Sequence, residues 1–170
     1  MLNPNVQTAL NAQINMELSA FYTYLSMAAY FEACNWQGFA AWMRHHAEEE
    51  MEHAMKLYDF IHARRGRVTL TALNEPKHDW ESVRAAIESA LHHEERVTAS
   101  IHALVVLARQ EGDQATESFL TWFVDEQVEE EAVVDAIVQK LNQIGDHAPS
   151  LYLLDRDLGS RARNDNDDEG

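Results

Sequence analysis

Six side chains in this chain repeat their own spacing. Glu17 is followed 33 residues later by Glu50-x-x-His53, and Glu94 is followed 33 residues later by Gln127-x-x-Glu130. Each half holds one lone carboxylate and then a pair at i, i+3, which share a face if the segment is helical. Two such halves set against each other would bring four carboxylates, one imidazole and one amide to one place. Carboxylate oxygen with a single imidazole suits iron, manganese or zinc better than copper. A buried, unpaired carboxylate is costly, so it shifts its pKa, finds a partner or binds a metal. Few basic residues are near these positions in the sequence, which makes divalent cations the expected partners.

The neighbours of these residues predict that they point inward. Glu17 has Leu10, Ile14 and Phe21 at helical offsets, Glu94 has Ile87, Leu91, Val97 and Ile101, and Glu50 has Met43, Ala47, Ala54 and Leu57. Gln127 has Leu120, Phe123, Val124 and Val134, and Glu130 has Phe123, Val133 and Ile137. Each polar residue thus falls on or beside an apolar stripe that should face a core. Runs such as Glu48-Glu49-Glu50 and Glu129-Glu130-Glu131 are more often solvated helix faces, and any one of these residues taken alone reads that way. Inward placement, equal spacing and hairpin order taken together favour a metal centre.

Four long helices are needed to position such a set, and four are legible. The first is expected from Pro4 to Cys34, capped by Asn3, with Pro4 at its first position and a stripe of Leu10, Ile14, Phe21 and Leu25. The second runs from Gln37 to Arg65 and stops at Gly66, read as the left-handed residue after the helix. The third starts near Asp79, read as its N-cap, and ends at Gly112-Asp113; the fourth spans Ala115 to Ile144 before Gly145. Each is about 30 residues, or roughly 45 Å long. The first and last links are short, so those helix pairs are antiparallel neighbours. The 13 residues of 66–78 have no helical period and could span about 43 Å if extended. They predict one long crossover joining two hairpins, an all-α four-helix bundle. An apolar segment, Pro149–Ser160, should dock as a short fifth helix, and the acidic tail 161–170 is expected to be flexible. The domain is therefore expected to end at residue 160.

Composition narrows the partners. The net charge is −16, with 29 Asp and Glu against 13 Lys and Arg, so the basic stripe that nucleic-acid binding requires is absent and cations are the natural small partners. An anionic membrane would repel this surface, and no apolar run is long enough to suggest a span or a signal peptide. The single Cys34 cannot form an internal disulfide, a rubredoxin-type site or a zinc ribbon, which fits a reducing, cytoplasmic setting.

The segments NMELSAFYTYLSMAAYF, RHHAEEEMEHAMKLYDFI, LHHEERVTASI, FLTWFVDEQVEEEAVVDAIVQKL and LYLLDRDL resemble those of bacterial non-haem ferritins, members of the ferritin-like di-iron superfamily, from Met1 to about Ser160. The resemblance implies a ferritin-like bundle with a short fifth helix, assembled as a 24-subunit cage that stores ferric mineral. It implies a ferroxidase that uses Fe(II) and dioxygen as substrates. Glu17, Glu50 and His53 would form one iron site, Glu50 would bridge to a second completed by Glu94 and Glu130, and Gln127 would orient groups beside them. Glu49, Glu126 and Glu129 match a third iron site. Tyr24, one heptad from Glu17, would be a local electron source; Trp122 is read as a core residue. Glu117 fits the acidic lining of an iron-access channel, whereas Leu120 stands where many animal ferritins carry a second acid. Two Fe(II) ions roughly 3.5–4 Å apart can each give one electron to the same dioxygen, so peroxide is the expected first product.

Rival readings predict different residues. A haem-binding bacterioferritin would repeat Glu-x-x-His in its second half, where this chain has Gln127 and Glu130; Met51 is the one feature that favours it, and no haem is expected. A DNA-binding mini-ferritin would carry a basic tail rather than one ending DNDDEG. A metal-free binding bundle gives no reason for carboxylates on four inward stripes. The paired histidines His45-His46 and His92-His93 cannot both face a core, and none is read as a ligand.

Overall fold

The first helix, α1 (Pro4–Ala33), starts as its sequence requires. The Asn3 side chain accepts a hydrogen bond from the Asn5 N–H, and Pro4 follows the cap. It ends with Asn35 in the left-handed region at φ 61°, while the Trp36 N–H reaches back 2.9 Å to the Phe31 carbonyl. The turn leads straight into α2 (Gln37–Ala63). In this computed structural model, residues 2–145 and 147–168 are described, with side chains described through residue 162. Three further helices follow: α3 (Val83–Gln110), α4 (Gln114–Ile144) and α5 (Ala148–Asp168). Among the described residues there is no strand, and no helix is long and apolar enough to cross a membrane.

Two boundaries differ from the sequence reading. The left-handed residue after α2 is Arg65, at φ 58°, not Gly66. The Gly66 N–H instead closes the turn on the Ile61 carbonyl at 2.8 Å. Glycine is needed there for space: a Cβ would lie 2.7 Å from Gln7 Oε1 and 2.9 Å from Leu2 and Ile61 side-chain carbons. The cap of α3 is Ser82, whose hydroxyl accepts from the Ala85 N–H at 3.1 Å, not Asp79. Tyr30 donates to the Trp80 carbonyl and the Trp80 indole is buried in the core, which keeps the chain extended past Asp79.

The crossover lies along α1. Gln7, Asn11, Asn15, Ser26 and Tyr30 bond successively to Arg67, Thr69, Thr71, Lys77 and Trp80. Gln7 to Tyr30 is about 35 Å of helix, which 13 extended residues cover. Opposite it, Asp113 caps α4 through the Thr116 N–H and pairs with Arg64 at 2.9 Å. That contact ties the end of one hairpin to the turn of the other.

The fifth helix caps the second. Trp36 offers no side-chain cap to α2; Asp155 of α5 supplies it, accepting from the Phe39 N–H at 2.9 Å. The approach is close enough that a Cβ on Gly38 would sit 1.6 Å from the Asp155 carbonyl oxygen. α5 continues through Asp168, so the helix does not end at the 160/161 boundary expected from composition; residues 169–170 lie outside those described.

Two apolar clusters fill the bundle. One holds Phe31, Phe39, Met43, Trp80, Ile87 and Val134 with the apolar side of α5; the other holds Leu10, Ile14, Leu57, Ile101, Leu120 and Phe123. The stripe of α1 is turned slightly from the expected one. Tyr24 and Met27 are buried, Phe21 is half-buried and Leu25 is exposed. Between the clusters, on every helix of the bundle, the apolar sequence is interrupted by the polar residues of the repeat.

Candidate metal centre

Glu17, Glu50, His53, Glu94, Gln127 and Glu130 are all buried in that interrupted layer. The i, i+3 spacing sets Glu50 and His53 side by side, with His53 Nδ1 3.5 Å from Glu50 Oε2. Glu17 joins them from α1, each of the three offering a ligand atom within 4.8 Å of the others. Gln13, one turn before Glu17, donates to Glu17 Oε1 at 2.8 Å, and Ser100 of α3 donates to Gln13 in turn. Among the described residues, Glu17 Oε2 and Glu50 Oε2 are buried without a hydrogen-bond partner. Two orphaned carboxylate oxygens beside an imidazole form a donor set that a divalent cation would satisfy.

The second half is held differently. Tyr24 donates a short hydrogen bond to Glu94 Oε1. Gln127 Nε2 lies 3.2 Å from Glu94 Oε2, 3.4 Å from the Glu94 carbonyl and 3.3 Å from Thr98 Oγ1. One face of Glu94 is therefore fixed by a phenol and the other by an amide. The shared heptad face of Glu17 and Tyr24 puts that phenol in the same layer.

Burial governs the protonation of these groups. It raises Glu17 from its ordinary value and lifts Glu50 well above it, with the charges of Glu94 and Glu17 adding to the effect. Glu94 is pushed up to about 7, mainly by burial, against the lowering effect of its Tyr24 hydrogen bond. The Tyr24 phenol is pushed well above its usual range by burial and by the Glu94 and Glu50 charges. Like charges crowd a low-dielectric space, and protons take the place that a cation would fill.

His46 is the candidate site residue that the sequence reading passed over. It is buried, and its Nδ1 lies 3.0 Å from Glu49 Oε2 and 3.3 Å from Glu130 Oε2. Burial would lower its pKa, but the bonds to Glu130 and Glu49 outweigh that and raise it to about 10. The same contact holds Glu49 below its ordinary value against the effect of burial. His46 can thus hold positive charge among the carboxylates, a role the scarcity of nearby Lys and Arg had left without a candidate. The signal was available: His46 is four residues before Glu50, on the same helix face.

The residues matched to a third site are spread along its rim. Glu49 groups with His46 and Glu130, and Glu126 groups with His53 and Glu130. Burial and neighbouring carboxylates raise Glu126, with His53 opposing. Glu129 is exposed and belongs to neither group. Trp122 is not a core residue: it is 36% exposed, edge-on to His53 at 5.4 Å, with Lys56 Nζ 3.8 Å above its ring. Glu117, in the first turn of α4, pairs with Arg109 at 2.6 Å, and Leu120 is fully buried in the apolar cluster. His45 is half-buried, His92 exposed and His93 buried.

Fold and site together define a helical bundle with a buried carboxylate–histidine cluster that could hold a cation. The family model for the ferritin-like domain matches residues 7–144. The bacterial non-heme ferritin of Staphylococcus aureus strain MRSA252 is 40% identical over 161 residues, covering 95% of this chain and 97% of its own. That of Staphylococcus saprophyticus is 40% identical over 162 residues, with the same coverage. An open pore ferritin from the hyperthermophilic archaeon Archaeoglobus fulgidus superposes with a TM-score of 0.93 at 48% identity, covering 94% of this chain and 98% of that one. The chain belongs to the ferritin family.

Proposed function

We propose that this protein stores and detoxifies iron, oxidising Fe(II) to Fe(III) with dioxygen at a di-iron centre within each subunit and depositing ferric mineral inside a 24-subunit cage. The observation that carries this reading is the buried pair of orphaned oxygens on Glu17 and Glu50 beside His53. The family membership and its non-heme ferritin relatives support it. Glu17 and His53 serve one iron, Glu94 and Glu130 the other. Glu50, which responds to the charges of both Glu17 and Glu94, is the carboxylate placed to serve both. Each Fe(II) loses one electron; one dioxygen gains two electrons and two protons and leaves as peroxide. Carboxylates that are protonated in the iron-free layer must release those protons as iron binds. His46 holds Glu49 and Glu130 until iron takes its place, and Glu130, which also groups with His53 and Glu126, links the oxidation layer to the rim, where Glu129 lies exposed. Tyr24 already donates to Glu94, so its proton has an acceptor if its ring supplies an electron. The same reading places the protein in the cytoplasm, without haem.

The test is stopped-flow absorbance after mixing about two Fe(II) per chain with metal-free protein in oxygenated buffer. Fast oxidation by the parent that collapses in both Glu50→Ala and His53→Ala supports the centre. Slow oxidation unchanged by either substitution overturns it. Sedimentation of the parent should give a particle of about 24 times the 19.4 kDa chain mass; a monomer or dimer would refute the cage.

A further inference from the structure

Residues of α1, α3 and the crossover line a cavity of about 480 Å³. It is lined by Lys77, His93 and Arg96, with the hydroxyls of Thr23 and Ser89. This placement is unusual for a chain of net charge −16. Neither Lys77 nor Arg96 makes an ion pair among the described residues, although Glu75 lines the same cavity. Arg96 Nη2 instead lies 3.0 Å from His93 Nδ1. A guanidinium can only donate, so His93 Nδ1 accepts and the neutral ring carries its proton on Nε2. That Nε2–H is buried, with no acceptor among the described residues. Thr23 and Ser89 add hydroxyls, and Ala12, Met16, Pro76 and Val97 give the cavity an apolar side.

Two exposed cations that pair with no carboxylate among the described residues, together with the hydroxyls of Thr23 and Ser89, form a set rich in donors, complementary to an anion with several acceptor oxygens. We propose that this cavity binds an oxyanion of the phosphate or phosphate-monoester class. The His93 ring stands edge-on to Tyr24 at 5.6 Å, so the occupant would be separated from the Tyr24–Glu94 pair by one imidazole. The site needs no iron and stands apart from the oxidation reading.

Isothermal titration of the assembled, iron-free protein at low ionic strength tests it, with inorganic phosphate in one arm and adenosine monophosphate in the other. The expected result is one site per chain, weakened roughly tenfold or more by Arg96→Gln and by Lys77→Gln. Arg44→Gln, on the exposed face of α2, should bind as the parent does. Phosphate binding alone supports a site for the free ion. Tighter binding of the nucleotide supports an organic phosphate that uses the apolar side of the cavity. Binding of neither, or binding undiminished in both Arg96→Gln and Lys77→Gln, overturns the proposal.

Discussion

Iron-free protein should lose stability as pH rises from about 5 to 8, the reverse of ordinary acid denaturation. Burial lifts Glu94 from 4.5 to about 7, and it lifts Glu17 and Glu50 in the same direction. A carboxylate raised in the folded state contributes its stability in full below its unfolded value, and loses it as pH climbs through the folded one. For Glu94 alone, at about 1.4 kcal/mol per pH unit, the loss is on the order of 3 kcal/mol. His46 acts with the same sign. It is raised from 6.5 to about 10, so its contribution is complete below its unfolded value and declines above it. Glu49 and Asp113 are lowered, and their contributions fade only on the acid side. His93, lowered to about 4 by burial and the Arg96 charge, opposes the fall by about 2 kcal/mol up to pH 6.5. The net decline is therefore carried by His46 together with the buried carboxylates and is steepest above that pH. For a chain of this size, about 3 kcal/mol corresponds to a Tm decrease of roughly 6–12 °C. The assay is thermal unfolding of metal-stripped protein, followed by circular dichroism. Redox-inert Zn(II) should raise Tm more at the upper end of the range, where its ligands are deprotonated. Glu94→Gln removes the titrating group while keeping a carbonyl for Tyr24, and should flatten the curve by a similar amount. A Tm that is constant or rises with pH in the metal-free parent would refute the reasoning, as would a Glu94→Gln curve that superposes on it.

Three other substitutions probe separate contacts. His46→Ala leaves Glu49 and Glu130 without their shared cation; it should destabilise iron-free protein by about 2 kcal/mol in urea, below the range for a fully buried pair because Glu49 is 31% exposed. A loss under about half of that would mean the pair is already screened. Gly38→Ala forces α5 away from α2, since its Cβ would fall 1.6 Å from a carbonyl oxygen; hydrogen exchange of the Phe39 amide should accelerate and stability drop by about 3 kcal/mol, whereas unchanged exchange would contradict the capping by Asp155. Gln13→Leu removes the bond that lowers the Glu17 pKa, so iron oxidation should slow more at pH 6 than at pH 8; equal slowing at both would assign Gln13 a packing role only.

Much of the site was legible because a helix converts spacing into position. The 33-residue echo works only if both hairpins have the same register, and equal helix lengths with short turns ensure it. Tyr24 followed from Glu17 by the same rule. Register does not say how far round the helix a stripe is centred, which is why Leu25, assigned to the core of α1, is exposed while Tyr24 and Met27 are buried. His46 was missed for a related reason. Adjacent histidines limit one another, but which of the two turns inward depends on the partner helix, and Glu130 of α4 supplies that. Trp122 reads as core by its type, yet the third dimension places it at the rim beside His53.

The sequence by itself determined the class of structure, four long amphipathic helices with a long crossover, because periodicity, the Asn3 cap of α1 and the short turns between paired helices are local properties. It also determined which residues could form a cation centre, since six polar side chains on inward stripes can be buried together only if something neutralises them. The tertiary structure decided what depends on contacts distant in sequence. Examples are the bonding of Glu94 by Tyr24 and Gln127, the bridging of Glu49 and Glu130 by His46, and the capping of α2 by Asp155. It also decided the meeting of Lys77, His93 and Arg96 around one cavity. Those pairings are set by how the helices pack and how closely the crossover follows α1, and no single stretch of sequence contains both partners.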